Sequence, residues 1–230
     1  MFSSDLGELF FIGSVAAAEQ QHDPPMSQPL EYVLECAAAV SEWLQKQLHL
    51  LRHDAADAHQ HVQRTALEHI LERLGQQGIL FLLGSGDEAY EEHLYRIATA
   101  NSNLVFLRGY AEEFGNLMYH GGDLFLMPSS FEPCGISQML AMRSGQPCVV
   151  HGVGGLHDTV ESGVTGFVFA GRTPTDQASA FVETVDRALQ LRRDHPNRWQ
   201  KIGKQAAAQR FDWASSAHQY IEQMYESDRG

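Results

Sequence analysis

Glu132 is the only carboxylate in the stretch Ser129-Ser130-Phe131-Glu132-Pro133-Cys134, directly before the run Gly135-Ile136-Ser137-Gln138-Met139-Leu140-Ala141-Met142, which has the apolar spacing of a helix. The apolar run Leu124 to Met127 ahead of it reads as a buried parallel strand, so the Glu132 stretch is the loop joining strand to helix. In open α/β sheets ligands bind at the carboxyl ends of the strands, and the free backbone N–H groups of a following helix favour anions, phosphates above all. Here the helix start offers the N–H groups of Gly135, Ile136 and Ser137, and Gly135 leaves room for close approach to the backbone. The same residues also suit a capped turn in which Glu132 satisfies the helix dipole. Cys134 stands where a nucleophile could act, but no histidine is placed beside it by sequence.

Two further glycine turns have comparable chemistry. Leu83-Gly84-Ser85-Gly86-Asp87 is a strand running into a turn and a helix, which lets backbone amides meet a phosphate; a plain tight turn fits equally well. It lacks the third glycine of a dinucleotide fingerprint and an acidic residue about twenty positions on, so a dinucleotide site is disfavoured. Gly152-Val153-Gly154-Gly155-Leu156 puts three glycines in four positions, which is costly to order unless something approaches the backbone closely. Tyr110, after the strand Leu104 to Leu107, falls at the same sheet edge, as a stacking face or as a core tyrosine.

The elements that must position these groups alternate regularly from Ala66. A helix bearing Leu67, Ile70, Leu71 and Leu74 leads into the strand Ile79 to Leu83, and a helix from Asp87, its cap, to Ala100 follows. Next come strand Leu104 to Leu107, helix Ala111 to His120, strand Asp123 to Met127, helix Gly135 to Ser144, strand Pro147 to Val150 and the strand Gly166 to Phe169. Helices over Thr175 to Arg193, Asn197 to Gln209 and Trp213 to Glu226 close the chain. Strands separated by such helices imply right-handed βαβ units, hence an α/β fold with a Rossmann-like parallel sheet flanked by helices.

The N-terminal part reads differently. Leu9 to Ile12 could form a short strand, the prolines from Pro24 to Pro29 forbid regular structure, and Leu30 to Leu51 carries one apolar helix face. Residues 53–63 read as a solvated loop. We therefore divide the chain into an atypical segment, 1–60, with one amphipathic helix, and a ligand-binding domain, 61–230.

Composition narrows the function. A formal charge of −13 with three lysines excludes a nucleic-acid or anionic-membrane surface, because too few cations would release phosphate counterions. No run reaches the length of a membrane span, and the apolar run from Leu9 to Ala18 follows acidic residues, Asp5 and Glu8, rather than the basic start of a signal peptide. Cys36, Cys134 and Cys148 are odd in number and lack metal-ligand spacing, which points to free thiols in a reducing cytoplasm. His49, His53, His59 and His61 cluster, but no third ligand is fixed by spacing, so we expect no metal site.

Ser129-Ser130-Phe131-Glu132-Pro133-Cys134-Gly135-Ile136-Ser137-Gln138, followed by Met139-Leu140-Ala141-Met142-Arg143-Ser144-Gly145 and by Gly154-Gly155-Leu156-His157-Asp158-Thr159-Val160, resembles the donor-binding half of bacterial glycogen synthases and plant starch synthases. The resemblance extends over roughly Thr65 to Glu226 and takes in Arg108-Gly109-Tyr110 and Phe211-Asp212-Trp213. It implies a retaining glycosyltransferase of the GT-B type, present as its C-terminal half, that transfers glucose from ADP-glucose to an α-1,4-glucan. Glu132 would then contact the donor glucose and support positive charge at its anomeric carbon. The N–H groups of Ile136 and Ser137 would take the diphosphate, Lys46 its remaining charge, and Tyr110 the base. Gly84, Gly86, Cys134, Gly135, Gly154 and Gly155 would line the donor pocket, and no metal or other cofactor is required.

Several positions depart from the family pattern. His151 and Val153 stand where basic residues are usual before the pair of glycines, and Ser130 where an arginine is usual. Gln45-Lys46 resembles the end of the diphosphate-clamping segment, but its arginine would fall near Ser41, and no arginine precedes Arg52. The acceptor-binding domain has no counterpart, so a separate acceptor-domain chain or a full-length synthase is an expected partner. The alternatives are an inactive or truncated nucleotide-sugar-binding module and, on the same fold, a nucleotide-sugar epimerase or hydrolase.

Overall fold

The structure, a computed structural model, describes residues 9–14, 58–75, 77–86, 88–109 and 111–222. Six strands form one sheet: β1 (Leu9–Ser14), β2 (Gly78–Gly84), β3 (Leu104–Arg108), β4 (Leu124–Met127), β5 (Cys148–His151) and β6 (Gly166–Phe169), in the order β3-β2-β1-β4-β5-β6. β2 with β3, β4 with β5 and β5 with β6 are parallel, as the alternating pattern predicts. β1 fills the central slot and runs antiparallel to both neighbours, with Leu9 opposite Leu83 and Ser14 opposite Gly78. The chain therefore enters β1 at the edge where the other strands end.

The helices are α1 (Ala58–Leu74), α2 (Glu88–Ala100), α3 (Glu112–Gly121), α4 (Ser137–Arg143), α5 (Gly154–Thr159), α6 (Pro174–Asp194), α7 (Pro196–Ala208) and α8 (Trp213–Ile221). They divide between the two faces because successive strand residues point to opposite sides. Leu124 and Leu126 of β4, with Leu80 and Leu82 of β2 and Val149 of β5, pack against α1, α2 and α6 through Leu71, Ile97 and Val185. Phe125 and Met127, with Cys148 and Val150, pack on the other side against α3, α4, α5 and α7 through Met118, Met142, Leu156 and Ala206. Burial on both faces is why β4 reads as the uninterrupted apolar run Leu-Phe-Leu-Met.

Local chemistry fixes the helix ends. Thr173 caps α6 in a reciprocal pair with Asp176, and Pro174 takes the first turn, where its missing N–H costs nothing. Arg192 near the end of that helix reaches Asp123 before β4 at 2.7 Å. Two boundaries differ from the sequence reading. α1 begins at Ala58, inside the stretch read as a solvated loop, since Ala and Gln are good helix formers that extend a helix without apolar periodicity. α4 begins at Ser137 rather than Gly135, because Gly135 is left-handed (φ +74°) and cannot continue a right-handed helix. The amphipathic helix read over 30–51 and the Asp87 cap lie outside the described residues.

Leu126 is fully buried in the middle of the sheet. Leu126→Ala is expected to lower unfolding stability by about 2–5 kcal/mol, with the far-ultraviolet circular dichroism of the folded state unchanged. Chemical denaturation gives the number, and a loss under about 1 kcal/mol would mean that this layer repacks freely.

Candidate functional site

The loop after β4 and the loop after β5 leave the sheet side by side, because Met127 is registered with Val150. They then pack backbone on backbone. A Cβ on Gly154 would lie 2.0 Å from the Glu132 carbonyl oxygen, and one on Gly155 would lie 2.0 Å from that of Cys134. Gly155 N–H donates to the Glu132 carbonyl at 3.1 Å. The close approach that the glycines Gly154 and Gly155 demand is thus met by the Glu132 loop itself.

A second clamp holds the loop from behind. Gln138, fully buried in α4, donates from Nε2 to the Gly135 carbonyl at 2.8 Å, the Cys134 carbonyl at 3.2 Å and Thr159 Oγ1 at 3.1 Å. Thr159 in turn donates to the Gly155 carbonyl at 2.6 Å. Gly135 accommodates this because its missing Cβ would stand 2.4 Å from Gln138 Oε1. His151 at the end of β5 adds a third tie: its Nδ1 lies 2.9 Å from the Ser129 carbonyl, and its ring stacks on Phe169 at 5.1 Å.

Within this frame the groups singled out by sequence are left open. The Glu132 side chain is half-buried and makes no hydrogen bond or ion pair with a described residue. The start of α4 has Ile136 at its N-cap with no side-chain cap. The Glu132 carboxylate is therefore not spent on the helix end. Among the described residues, the backbone N–H groups of Ile136 and Ser137 meet no acceptor. A free carboxylate and free amides at one strand end can serve a ligand that carries both hydroxyls and negative charge.

The remaining candidates separate. Cys134 is an exposed free thiol, with its Sγ 3.8 Å from the Gly135 carbonyl, whereas Cys148 is buried and desolvation pushes its thiol strongly up. Gly84 is buried at the end of β2 and paired with Arg108 of β3. Gly86 is exposed, but its N–H is taken by the Glu91 carboxylate at 2.8 Å, so this amide is not offered to a phosphate. Lys46 and Tyr110 lie outside the described residues, as do His49 and His53. Among the described residues, no group of three or more His, Cys, Asp or Glu is placed to hold a metal, and no helix is long and apolar enough to cross a membrane.

The clamp residues Gln138 and Thr159 escaped the sequence reading, although one signal was available. Positions 138, 141 and 142 form the buried stripe of α4, and a glutamine in such a stripe must find partners. Glu91 and His151 gave no such signal, because their partners are fixed only by the fold.

A largely parallel α/β sheet flanked by helices is the fold of GT-B glycosyltransferases. The family model for glycosyl transferases group 1 matches residues 49–206, and the chain belongs to that family. It is 40% identical over 166 residues to the glycogen synthase of Desulfitobacterium hafniense, covering 70% of this chain and 35% of that one. It is 34% identical over 218 residues to the glycogen synthase of Syntrophotalea carbinolica, covering 88% and 44%. The fold superposes on the catalytic domain of starch synthase IV from Arabidopsis thaliana, bound to ADP and acarbose, with a TM-score of 0.59 and 27% identity over 82% of this chain and 42% of that one. The chain thus spans less than half the length of each of these relatives.

Gly155→Ala is expected to cost about 1–3 kcal/mol, because the new methyl meets backbone that cannot turn away. Gly121→Ala, where a Cβ meets nothing within 4 Å, serves as the control. Equal melting temperatures for the two variants would show that the diglycine is not what seats the Glu132 loop.

Proposed function

We propose that this chain is the donor-binding half of a glycogen- or starch-synthase-type glycosyltransferase that takes glucose from ADP-glucose for an α-1,4-glucan. The observation that carries this reading is the open Glu132 carboxylate beside the unpaired amides of Ile136 and Ser137, on a loop whose backbone is clamped from two sides. Glu132 contacts the donor glucose and stabilises positive charge as the anomeric carbon parts from the phosphate. The amides of Ile136 and Ser137 receive the diphosphate, with Lys46 adding charge and Tyr110 a stacking face for the base. Cys134, Gly135, Gly154 and Gly155 form the wall behind the sugar, and Gly84 and Gly86 the floor at the other end. The catalytic unit is residues 61–230, it works in the cytoplasm, and it meets its acceptor through a separate acceptor-domain chain or a full-length synthase.

A second reading, a module that holds the nucleotide sugar without turnover, is favoured by the scarcity of cations. Arg108 is engaged by Glu91 and His151 by the Ser129 carbonyl, while the whole chain carries a formal charge of −13. Removing one charge-assisted donor from a site where negative charge develops costs about 10²–10³ in rate. We therefore expect the chain by itself to bind ADP and ADP-glucose weakly and to transfer no glucose to glycogen. Incorporation of labelled glucose at about 1 s⁻¹ or faster would contradict that expectation.

Glu132→Ala separates the sugar from the nucleotide. Its affinity for ADP-glucose is expected to fall about tenfold or more, as for loss of a hydrogen bond to a charged group, with ADP affinity and melting temperature unchanged. Calorimetric titration with ADP, ADP-glucose and UDP-glucose measures this. A lowered melting temperature with unchanged ligand affinity would make Glu132 a structural residue, and an absence of binding by the wild type to any of the three would remove the nucleotide-sugar reading.

A further inference from the structure

Gln138 is a fully buried amide in the first turn of α4, too deep to touch a ligand, yet three hydrogen-bond partners decide how it is turned. Thr159 Oγ1 spends its hydrogen on the Gly155 carbonyl at 2.6 Å, so toward Gln138 it can only accept, at 3.1 Å. The Cys134 and Gly135 carbonyls are acceptors as well, at 3.2 Å and 2.8 Å. The Gln138 nitrogen therefore faces all three, with its two hydrogens shared among them.

The consequence falls on the turn between Cys134 and Ile136. A trans peptide is planar, with its C=O and N–H pointing in opposite directions, and the described residues include no cis peptide. Holding the Cys134 carbonyl toward Gln138 thus turns the Gly135 N–H away from it, and holding the Gly135 carbonyl does the same to the Ile136 N–H. Gly135 is left-handed (φ +74°) and Ile136 right-handed (φ −104°, ψ −32°), a succession that brings neighbouring N–H groups to one side. Neither N–H meets an acceptor among the described residues.

The same bonds act on donor strength. A hydrogen bond received at a carbonyl polarises the whole peptide unit, which makes the N–H at its other end a better donor. Thr159 joins this arrangement to α5, because the Gly155 whose carbonyl it holds donates its own N–H to the Glu132 carbonyl at 3.1 Å.

We propose that Gln138, kept in place by the Thr159 hydroxyl, is a positioning residue that aims the Gly135 and Ile136 amides at the donor diphosphate and so sets nucleotide affinity without touching the ligand. This rests on the nucleotide-sugar reading above. The test is calorimetric titration of the full chain with ADP, for the wild type, Gln138→Met, Thr159→Val and Thr159→Ser, at a temperature where melting curves show every variant folded. Gln138→Met keeps the length of the side chain but donates nothing, and it is expected to weaken ADP binding about tenfold. Thr159→Val is expected to lose several-fold, and Thr159→Ser, which keeps the hydroxyl, to restore the wild-type affinity. In ¹⁵N-labelled protein the Gly135 and Ile136 amide resonances should move on adding ADP to the wild type and stay still in Gln138→Met.

A lowered melting temperature with wild-type ADP affinity in Gln138→Met would overturn the proposal and leave the amide a structural clamp. Weaker binding in which the Gly135 and Ile136 resonances still respond as in the wild type would overturn it too, since the loss would then arise elsewhere. If Gln138→Met does not fold, the Thr159 pair decides: equal losses for Val and Ser would show that the hydroxyl is not what matters. If the wild type fails to bind ADP, the nucleotide-sugar reading falls first and this proposal with it; wild-type binding with indifferent variants sinks the proposal alone.

Discussion

The site depends on one steric constraint, the seating of the Glu132–Cys134 backbone directly on the backbone of Gly154 and Gly155. Two peptide segments at that separation leave no volume for a side chain on the lower one, and the Gly155 N–H donates to the Glu132 carbonyl between them. Everything else at the strand ends follows from this contact. The parallel register of β4 and β5 brings the segments together, Gly135 turns left-handed above them, and Gln138 and Thr159 close a buried polar network around the turn. The Gln138 amide donates through Nε2 while its buried Oε1 finds no partner among the described residues, so the network holds the Cys134 and Gly135 carbonyls by donation alone. The carboxylate is free because its backbone is not.

The electrostatics of this edge are set by which charges are already committed. Arg108 pairs with Glu91 through its Nε and the His151 ring lies against the Ser129 carbonyl, while the backbone amides of the α4 start meet no acceptor among the described residues. Amides attract a phosphate by direction and partial charge rather than by net charge, which suits a chain as acidic as this one. The direction of β1 bears on the same balance. Being antiparallel, it runs into the sheet at the ligand edge, between β2 and β4, and leaves at Ser14 from the opposite edge. Among the described strands, β1 is thus the one that does not end at this edge in a loop leading to a helix.

How much of this was legible in the sequence depended on whether the cause was local. Doubly buried strands announce themselves as unbroken apolar runs, and β4 and β5 fall within a residue or two of where Leu-Phe-Leu-Met and Val-Val place them. The loop bearing Glu132 and its helix were legible for the same reason. The start of that helix was not, since apolar spacing continues through Gly135 while its left-handed φ delays the start of the helix by two residues. The glycines Gly154 and Gly155 could be read as needing close approach to something, but not as needing the Glu132 loop, because that partner comes from an adjacent strand. The Glu91–Arg108 pair joins residues on different elements, and pairing of that kind has no signature in spacing.

The surroundings of Glu132 carry one further consequence for the proposed chemistry. Phe131 is 69% exposed and Ile136 is 65% exposed, so the loop that bears the open carboxylate also presents two large apolar side chains to water. Exposed apolar groups scattered singly are ordinary, but two on one clamped loop are the kind of surface that a bound ligand or partner covers. In water, Glu132 could do little for a positive charge forming at a sugar carbon, because solvent screens the interaction to about 1 kcal/mol at 4 Å; at the effective dielectric near a covered surface the same pair gains about four times as much. Glucosyl transfer on the proposed reading therefore requires that Phe131 and Ile136 be covered while the donor is bound. The described residues supply a free carboxylate and free amides, and on the proposed reading the exclusion of water is the remaining step that separates holding a nucleotide sugar from using one.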